Sequence, residues 1–397
     1  IHEISKLGVP IVGEKPTKIA SYSPSYEDVK IFNKLVDEIW SNPRTYADYN
    51  WEKIMNSEGL SSDFEVSDRE DITFIHRNVR ETDIYFTYNP DSIPRQIEYT
   101  FRVNKKIPEL WNPLNGETKK SGQFVQNDTH TKVWVTLEAE ESTFIVFRES
   151  SKGITSVTEP TNKMLTAEYR LNDENNLVLD ASENGIYETT TSLGKKIKTT
   201  VNGIPKPIEL AGAWNVEFLK EHDYAATHIF KTLSDWKNNA VDDIQHYSGT
   251  AIYTKSFVFD RSELSKDKRY LLQLGDVKIV AEVELNGKQV GVDWMPPFEL
   301  DITDFLKEGD NSLRIKITNQ WSNRLIGDER YPVDYTFDLE GNFPEKIMPD
   351  WFINQEPIPQ GKRTTFSTAT FYKAGDSLMP SGLIGPVEIR VLKNIKI

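Results

Sequence analysis

From Asp71 onward the apolar residues of this chain recur at every second position, and that period decides most of what the chain can fold into. "ITFIHRN", "DIYFTYN", "IEYTFRVN", "TKVWVTLEA" and "STFIVFRE" are short runs rich in aromatic and β-branched residues, separated by turn-forming clusters such as "NPDSIP" and "NPLNGE". Successive side chains of a strand point to opposite faces, so each run offers one face to a core and one to water. The pattern predicts an antiparallel β-sandwich over 61–150. Residues 151–210 are poorer in apolar residues and richer in Thr, Asn and Lys, and predict a connecting hairpin region with a turn at Asn184-Gly185. A further all-β unit is expected over 211–397, a jelly roll. In it Leu313, Ile315 and Ile317 alternate with Arg314, Lys316 and Thr318, Asn286-Gly287 marks a tight hairpin, and Val387, Ile389 and Val391 predict a closing strand.

Residues 1–60 follow another rule. "GVPIVG" reads as a short buried-type strand, and "SYEDVKIFNKLVDEIW" reads as a helix with Val29, Phe32, Val36 and Ile39 on one face. Ser25 is placed to cap it, with Asp28 three residues on. One strand and one helix cannot bury that face alone, so the segment is expected to lie against something else. The chain opens without Met, which is read as a sign of processing or of a piece of a longer protein.

Composition narrows the function. The 397 residues carry a net charge of -14, against the basic stripe that nucleic acid or an anionic membrane surface would want, so neither is expected as a partner. With no cysteine there is no disulfide, no Cys-type zinc site and no thiol nucleophile. There is no G-x-S-x-G, no H-E-x-x-H and no Gly-rich phosphate loop. Paired carboxylates remain as a route to chemistry, at Glu140/Glu141, Asp242/Asp243 and Asp328/Glu329. Neighbouring residues on a strand diverge, so such pairs read first as solvated charge. His76-Arg77 reads as a polar pair on a sheet surface, and Asn127-Asp128-Thr129 is a glycosylation sequon by pattern. Trp294, Trp321 and Trp351 lie in loop-like surroundings, where an aromatic face can stack on a sugar or belong to the core.

"FIHRNVRETDIYFTYN", "ELWNPLNGE", "LAGAWNVEF", "YSGTAIYTKSF", "LGDVKIVAEVELNGKQVGVDWMPPFELDITDFLKEGDNSLRIKITNQWSNRLIGDE" and "LMPSGLIGPVEI" together resemble the C-terminal half of glycoside hydrolase family 106, the α-L-rhamnosidases. The jelly-roll part also resembles the sugar-binding-like domain of family 2 glycosidases. The resemblance implies a mainly β chain: a β-sandwich and a galactose-binding-like jelly roll, preceded by a short α/β segment left from a (β/α)8 barrel. It implies an inverting mechanism whose acid and base are glutamates on that barrel. No position here matches them, so no catalytic residue is carried over. The expected partners are the N-terminal catalytic barrel of the same protein and a carbohydrate substrate, and the expected location is the bacterial periplasm or outside the cell. A free-standing carbohydrate-binding protein is the alternative. "NQWSNRLIGDE" reads as a loop on the jelly roll that docks on the barrel or borders its sugar pocket. Asn319, Asn323 and Arg324 offer donors and Asp328 and Glu329 acceptors. Trp294, Trp321, Asn323, Arg324, Asp328, Glu329 and Trp351 are therefore the candidate carbohydrate-binding or domain-docking residues. No cofactor is called for, and a structural Ca²⁺ at this loop is the one metal reading left open.

Overall fold

The structure, a computed structural model, describes residues 1–67, 71–159, 167–221, 224–260, 264–332, 336–338, 345–357, 363–365 and 371–397. They form two compact units, Ile1–Glu65 and Val66–Ile397.

In the first unit the predicted helix runs from Tyr26 to Trp40. Its capping box is complete: Ser25 Oγ accepts from Asp28 N at 3.1 Å, and Asp28 Oδ2 accepts from Ser25 N at 3.0 Å. Val36 and Ile39 are buried, whereas Val29 stays 36% exposed, so the apolar face is only partly covered. The strand Ile11–Val12 has a parallel partner, Thr45–Tyr46, and the helix is the crossover between them. The sequence reading had one strand here. A two-residue strand between Pro43 and Asp48 is too short to show a period. One such crossover is common to all parallel α/β sheets and does not by itself make a barrel.

The second unit is built from antiparallel sheets. In its first sandwich, Arg95–Phe101, Thr131–Leu137 and Phe124–Gln126 lie side by side. They face the sheet of Phe74–Val79, Thr82–Tyr88, Ser142–Ser150, Lys106–Trp111 and Thr118–Ser121. Phe101 closes the gap between them, its ring 4.7 Å from Tyr85 and 5.2 Å from Phe147.

In the second sandwich, a six-stranded sheet runs Tyr224–Phe230, Trp214–Glu221, Thr250–Phe259, Gly309–Thr318, Val280–Leu285, Lys288–Asp293. Leu313, Ile315 and Ile317 are at most 1% exposed, so the alternation seen in the sequence is the core face. Each such burial stabilises the fold by about 1.5–3 kcal/mol relative to exposure. They pack with Tyr270, Leu272, Ile389 and Val391 of the facing sheet. Asn286 and Gly287 have φ of 56° and 77°, the left-handed pair that a two-residue hairpin requires.

The C-terminal strand Glu388–Lys396 does more than close the jelly roll. One edge pairs with Lys268–Gln273, and its last residues also pair with Leu177–Ala181. An 11-stranded sheet therefore runs without a break from Glu299–Asp301 through Lys268–Gln273, Glu388–Lys396, Leu177–Ala181 and Ala167–Leu171 into Thr118–Ser121 and the first sandwich. Tyr169 and Leu179, like Tyr270 and Leu272, point to the core side, which leaves Glu168, Arg170, Asp180 and Arg269 on the other face.

Candidate functional site

The stretch read as a loop after Asn319 is a helix, Ser322–Asp328. Leu325 N donates to Trp321 O at 3.1 Å and Glu329 N to Leu325 O at 3.2 Å. Seven residues, one of them Gly, are too few for a helical period or a cap to stand out. Gly327 sits against His246, whose side-chain atoms lie 2.9 Å from where a Cβ would be.

The polar groups of this helix are engaged inside the second unit. Asn323 is fully buried; its Nδ2 donates to Met379 O at 2.8 Å and its Oδ1 accepts from Met379 N at 2.7 Å. Asn319 bridges in the same manner to Tyr247 O and Gly249 N. Asp328 is 1% exposed: Oδ2 accepts from Thr364 N at 3.0 Å, Thr365 N at 2.7 Å and Thr365 Oγ at 2.7 Å, while Oδ1 pairs with Arg324. Glu329 takes both terminal nitrogens of the buried Arg363, at 2.9 and 3.0 Å. These carboxylates thus pin the 363–365 segment. Among the described residues no group of three or more His, Asp or Glu is placed to hold a metal ion. Trp321 is 57% exposed at the head of the helix, and Trp351 stands with its ring perpendicular to Phe352 at 6.0 Å.

The other sequence candidates scatter. Asp242 is held by Arg330 at 2.7 and 2.8 Å. His76 lies flat on Tyr85, with ring centres 4.0 Å apart. Asn127 Oδ1 accepts from Thr129 N and His130 N, a local turn. Glu140 is exposed at a φ of 58°, while Glu141 turns into a cleft.

That cleft lies where the long sheet passes from one sandwich to the other. It encloses about 550 Å³ and continues into an adjoining hollow of about 330 Å³. Its floor is the charged face of the sheet. Arg170 Nε donates to Asp180 at 2.6 Å, and Arg269 Nη2 to Asp301 at 2.7 Å. Lys119 pairs with Glu168 at 2.7 Å. One wall is the edge of the first sandwich, with Thr136, Glu138 and Glu141. The opposite wall is Glu299–Asp301 and the 292–297 turn, which carries Trp294, 51% exposed.

Burial pushes the carboxyls of Glu138, Glu141, Glu299 and Asp293 above their ordinary range. At Glu138 the charge of Glu299 adds to that rise. At Glu299 it is opposed by Arg390, at 3.4 Å, and Gln273, at 2.9 Å. Asp301 goes the other way: burial raises it, but bonds from Thr303 and Arg269 outweigh burial and hold it low. The cleft therefore offers fixed donors from Arg and Lys and carboxyls that burial holds above their ordinary range, with an aromatic face at the rim. Of the residues singled out from sequence, Trp294 and Glu141 are brought here. Glu138, Glu168, Arg269, Glu299 and Arg390 were missed. Their only trace is alternation with core residues, which any wet strand face shows.

Residues 1–125 match the family model described as alpha-L-rhamnosidase, glycoside hydrolase family 106, and residues 204–353 match that of the galactose-binding-like domain of family 2 glycosyl hydrolases. A putative beta-glucuronidase of Formosa agariphila is 27% identical, over 99% of this chain and 49% of its own length. The beta-galactosidase large subunit of Latilactobacillus sakei is 27% identical over 32% of this chain and 21% of its own. The solved structure of a rhamnosidase from Novosphingobium sp. PP1Y shares the fold over 99% of this chain and 32% of its own, with TM-score 0.73 and 24% identity. The chain thus spans about half the length of the first of these curated relatives.

Proposed function

We propose that this chain is the C-terminal accessory region of a glycoside hydrolase, an inverting α-L-rhamnosidase acting on complex glycans in the bacterial periplasm or outside the cell. The observation that carries the reading is the α-L-rhamnosidase match over 1–125, which runs from the parallel crossover unit straight into the antiparallel sandwich. A junction of that kind is what remains where a catalytic α/β domain is followed by β-domains in one polypeptide. The acid that protonates the leaving oxygen and the base that activates water belong to the N-terminal barrel of the same protein, on opposite faces of the sugar. The present chain supplies packing and support for that barrel.

The test is turnover of 4-nitrophenyl α-L-rhamnopyranoside by the purified chain and by the protein that carries the barrel. The chain alone releases no nitrophenol above buffer, and the barrel-bearing protein releases rhamnose with inverted anomeric configuration by NMR. Turnover by the chain alone overturns the accessory role. Cleavage of a β-glucuronide in place of the rhamnoside overturns the substrate.

A further inference from the structure

The cleft between the two sandwiches has features that support of a barrel does not call for. Its volume of about 550 Å³ lies within the range of pockets that bury a small organic ligand, and it extends toward the 292–297 turn as a groove rather than ending as a sealed hole. Its lining alternates acceptors and donors that are already locked to one another: Asp180 lies between Arg170, at 2.6 Å, and Arg269, at 3.6 Å, and Glu299 lies between Arg390 and Gln273. Groups fixed this way lose little entropy when a ligand arrives. Leu271, Leu300 and Leu392 separate the charged pairs with apolar strips. Trp294 stands at the rim on a turn between two strands, half exposed.

We propose that this cleft is a binding site for a neutral oligosaccharide. The chemistry selects the ligand class. A sugar hydroxyl both donates and accepts, so a row of hydroxyls fits a lining that alternates carboxylate with guanidinium. The apolar C–H face of a pyranose fits the Trp294 ring and the leucine strips. A uronic or sulfated glycan is disfavoured, because acids outnumber bases in the lining and a second layer of negative charge would lie against them. The partial burial of Glu138 and Glu141 agrees: desolvation raises both carboxyls above their ordinary range, a cost that hydroxyl donors from a ligand would offset.

The inference stands whether or not the parent enzyme cleaves rhamnosides, because the assay reads binding and not turnover. The 397-residue chain is run on native gels cast with galactomannan, arabinogalactan or xyloglucan as neutral probes and with polygalacturonate as the anionic one. Expected is retardation in at least one neutral gel and none in polygalacturonate, with Trp294→Ala weakening the retardation by about tenfold or more. Trp294 is half exposed, so the variant should melt like the parent. Glu138→Gln is the second variant; the geometry is kept, and a weakened neutral-gel retardation at pH 7 is again expected. Equal retardation of both variants and the parent, retardation by polygalacturonate alone, or no retardation in any neutral gel overturns the proposal.

Discussion

Two charged regions of the second unit look alike in composition and differ in what their hydrogen bonds do. Around the helix Ser322–Asp328, each carboxylate accepts from donors of the chain itself: Asp328 from Thr364, Thr365 and Arg324, Glu329 from Arg363. In the cleft the charged groups pair side by side on a sheet face that stays open, and Glu138 and Glu141 are held above the ordinary carboxylate range. The first arrangement is closed and acts as a clasp; the second leaves polar edges aimed at space. A dense run of Asn, Arg, Asp and Glu in sequence therefore marks a place where hydrogen bonds are needed, and only the fold decides whether the partner is the protein or a ligand.

The contrast can be broken at its strongest point first. Asp328→Ala removes the acceptor of two backbone N–H groups and leaves Arg324 without its ion-pair partner in a buried setting. It should cost about 3–5 kcal/mol of stability, read by urea denaturation. A loss below the scatter of surface substitutions would remove the clasp from the account. Gly327→Ala tests the same region by shape, since its Cβ would meet the His246 side chain at 2.9 Å, tighter than real contacts. A loss of about 1–3 kcal/mol is expected from that overpacking, measured in the same way.

The open region should respond in the opposite sense. Trp294→Ala should change stability by no more than about 0.5 kcal/mol, because the side chain is half exposed and outside the core. A large loss would make Trp294 a structural residue.

The smallest effect concerns pH. Glu141 is raised by burial, so between the ordinary carboxylate range and its raised value the folded chain holds a proton that the unfolded chain has released. Its contribution to stability therefore falls as pH rises through that window. Asp301 is held low, so its contribution is lost as pH falls. Glu141→Gln keeps an oxygen for Glu138 N, which Glu141 now accepts at 2.7 Å, and removes the buried charge. The variant should melt about one or two degrees higher than the parent at pH 7 and show no gain at pH 4, by calorimetry. A lower melting temperature at pH 7 would mean that Lys119 compensates the charge after all.

What the sequence made legible was local. The alternation of Leu313, Ile315 and Ile317, the Asn286-Gly287 hairpin and the Ser25–Asp28 capping box each rest on neighbours within a few residues, and each stands in the structure as read. What was hidden was pairing between distant segments. Nothing in "PVEIRVLKNIKI" tells that its end will lie beside Leu177–Ala181, because a strand's period names its faces and not its neighbours. That seam creates the cleft, so its lining could not be assembled from sequence, and Glu168 or Arg269 read as ordinary wet-face residues. The helix Ser322–Asp328 was missed for a related reason: it is held by Met379, Ser381 and the 363–365 segment, more than 30 residues away, and not by its own propensity.

The division between a closed clasp and an open cleft is tested most directly by hydrogen–deuterium exchange of the chain with and without the neutral glycan it retains. Added glycan should slow exchange in Ala167–Leu171, Lys268–Gln273, Glu299–Asp301 and the 292–297 turn, and leave Ser322–Asp328 unchanged. Protection confined to Ser322–Asp328 and the residues it holds, with the cleft strands unaffected, would contradict the account.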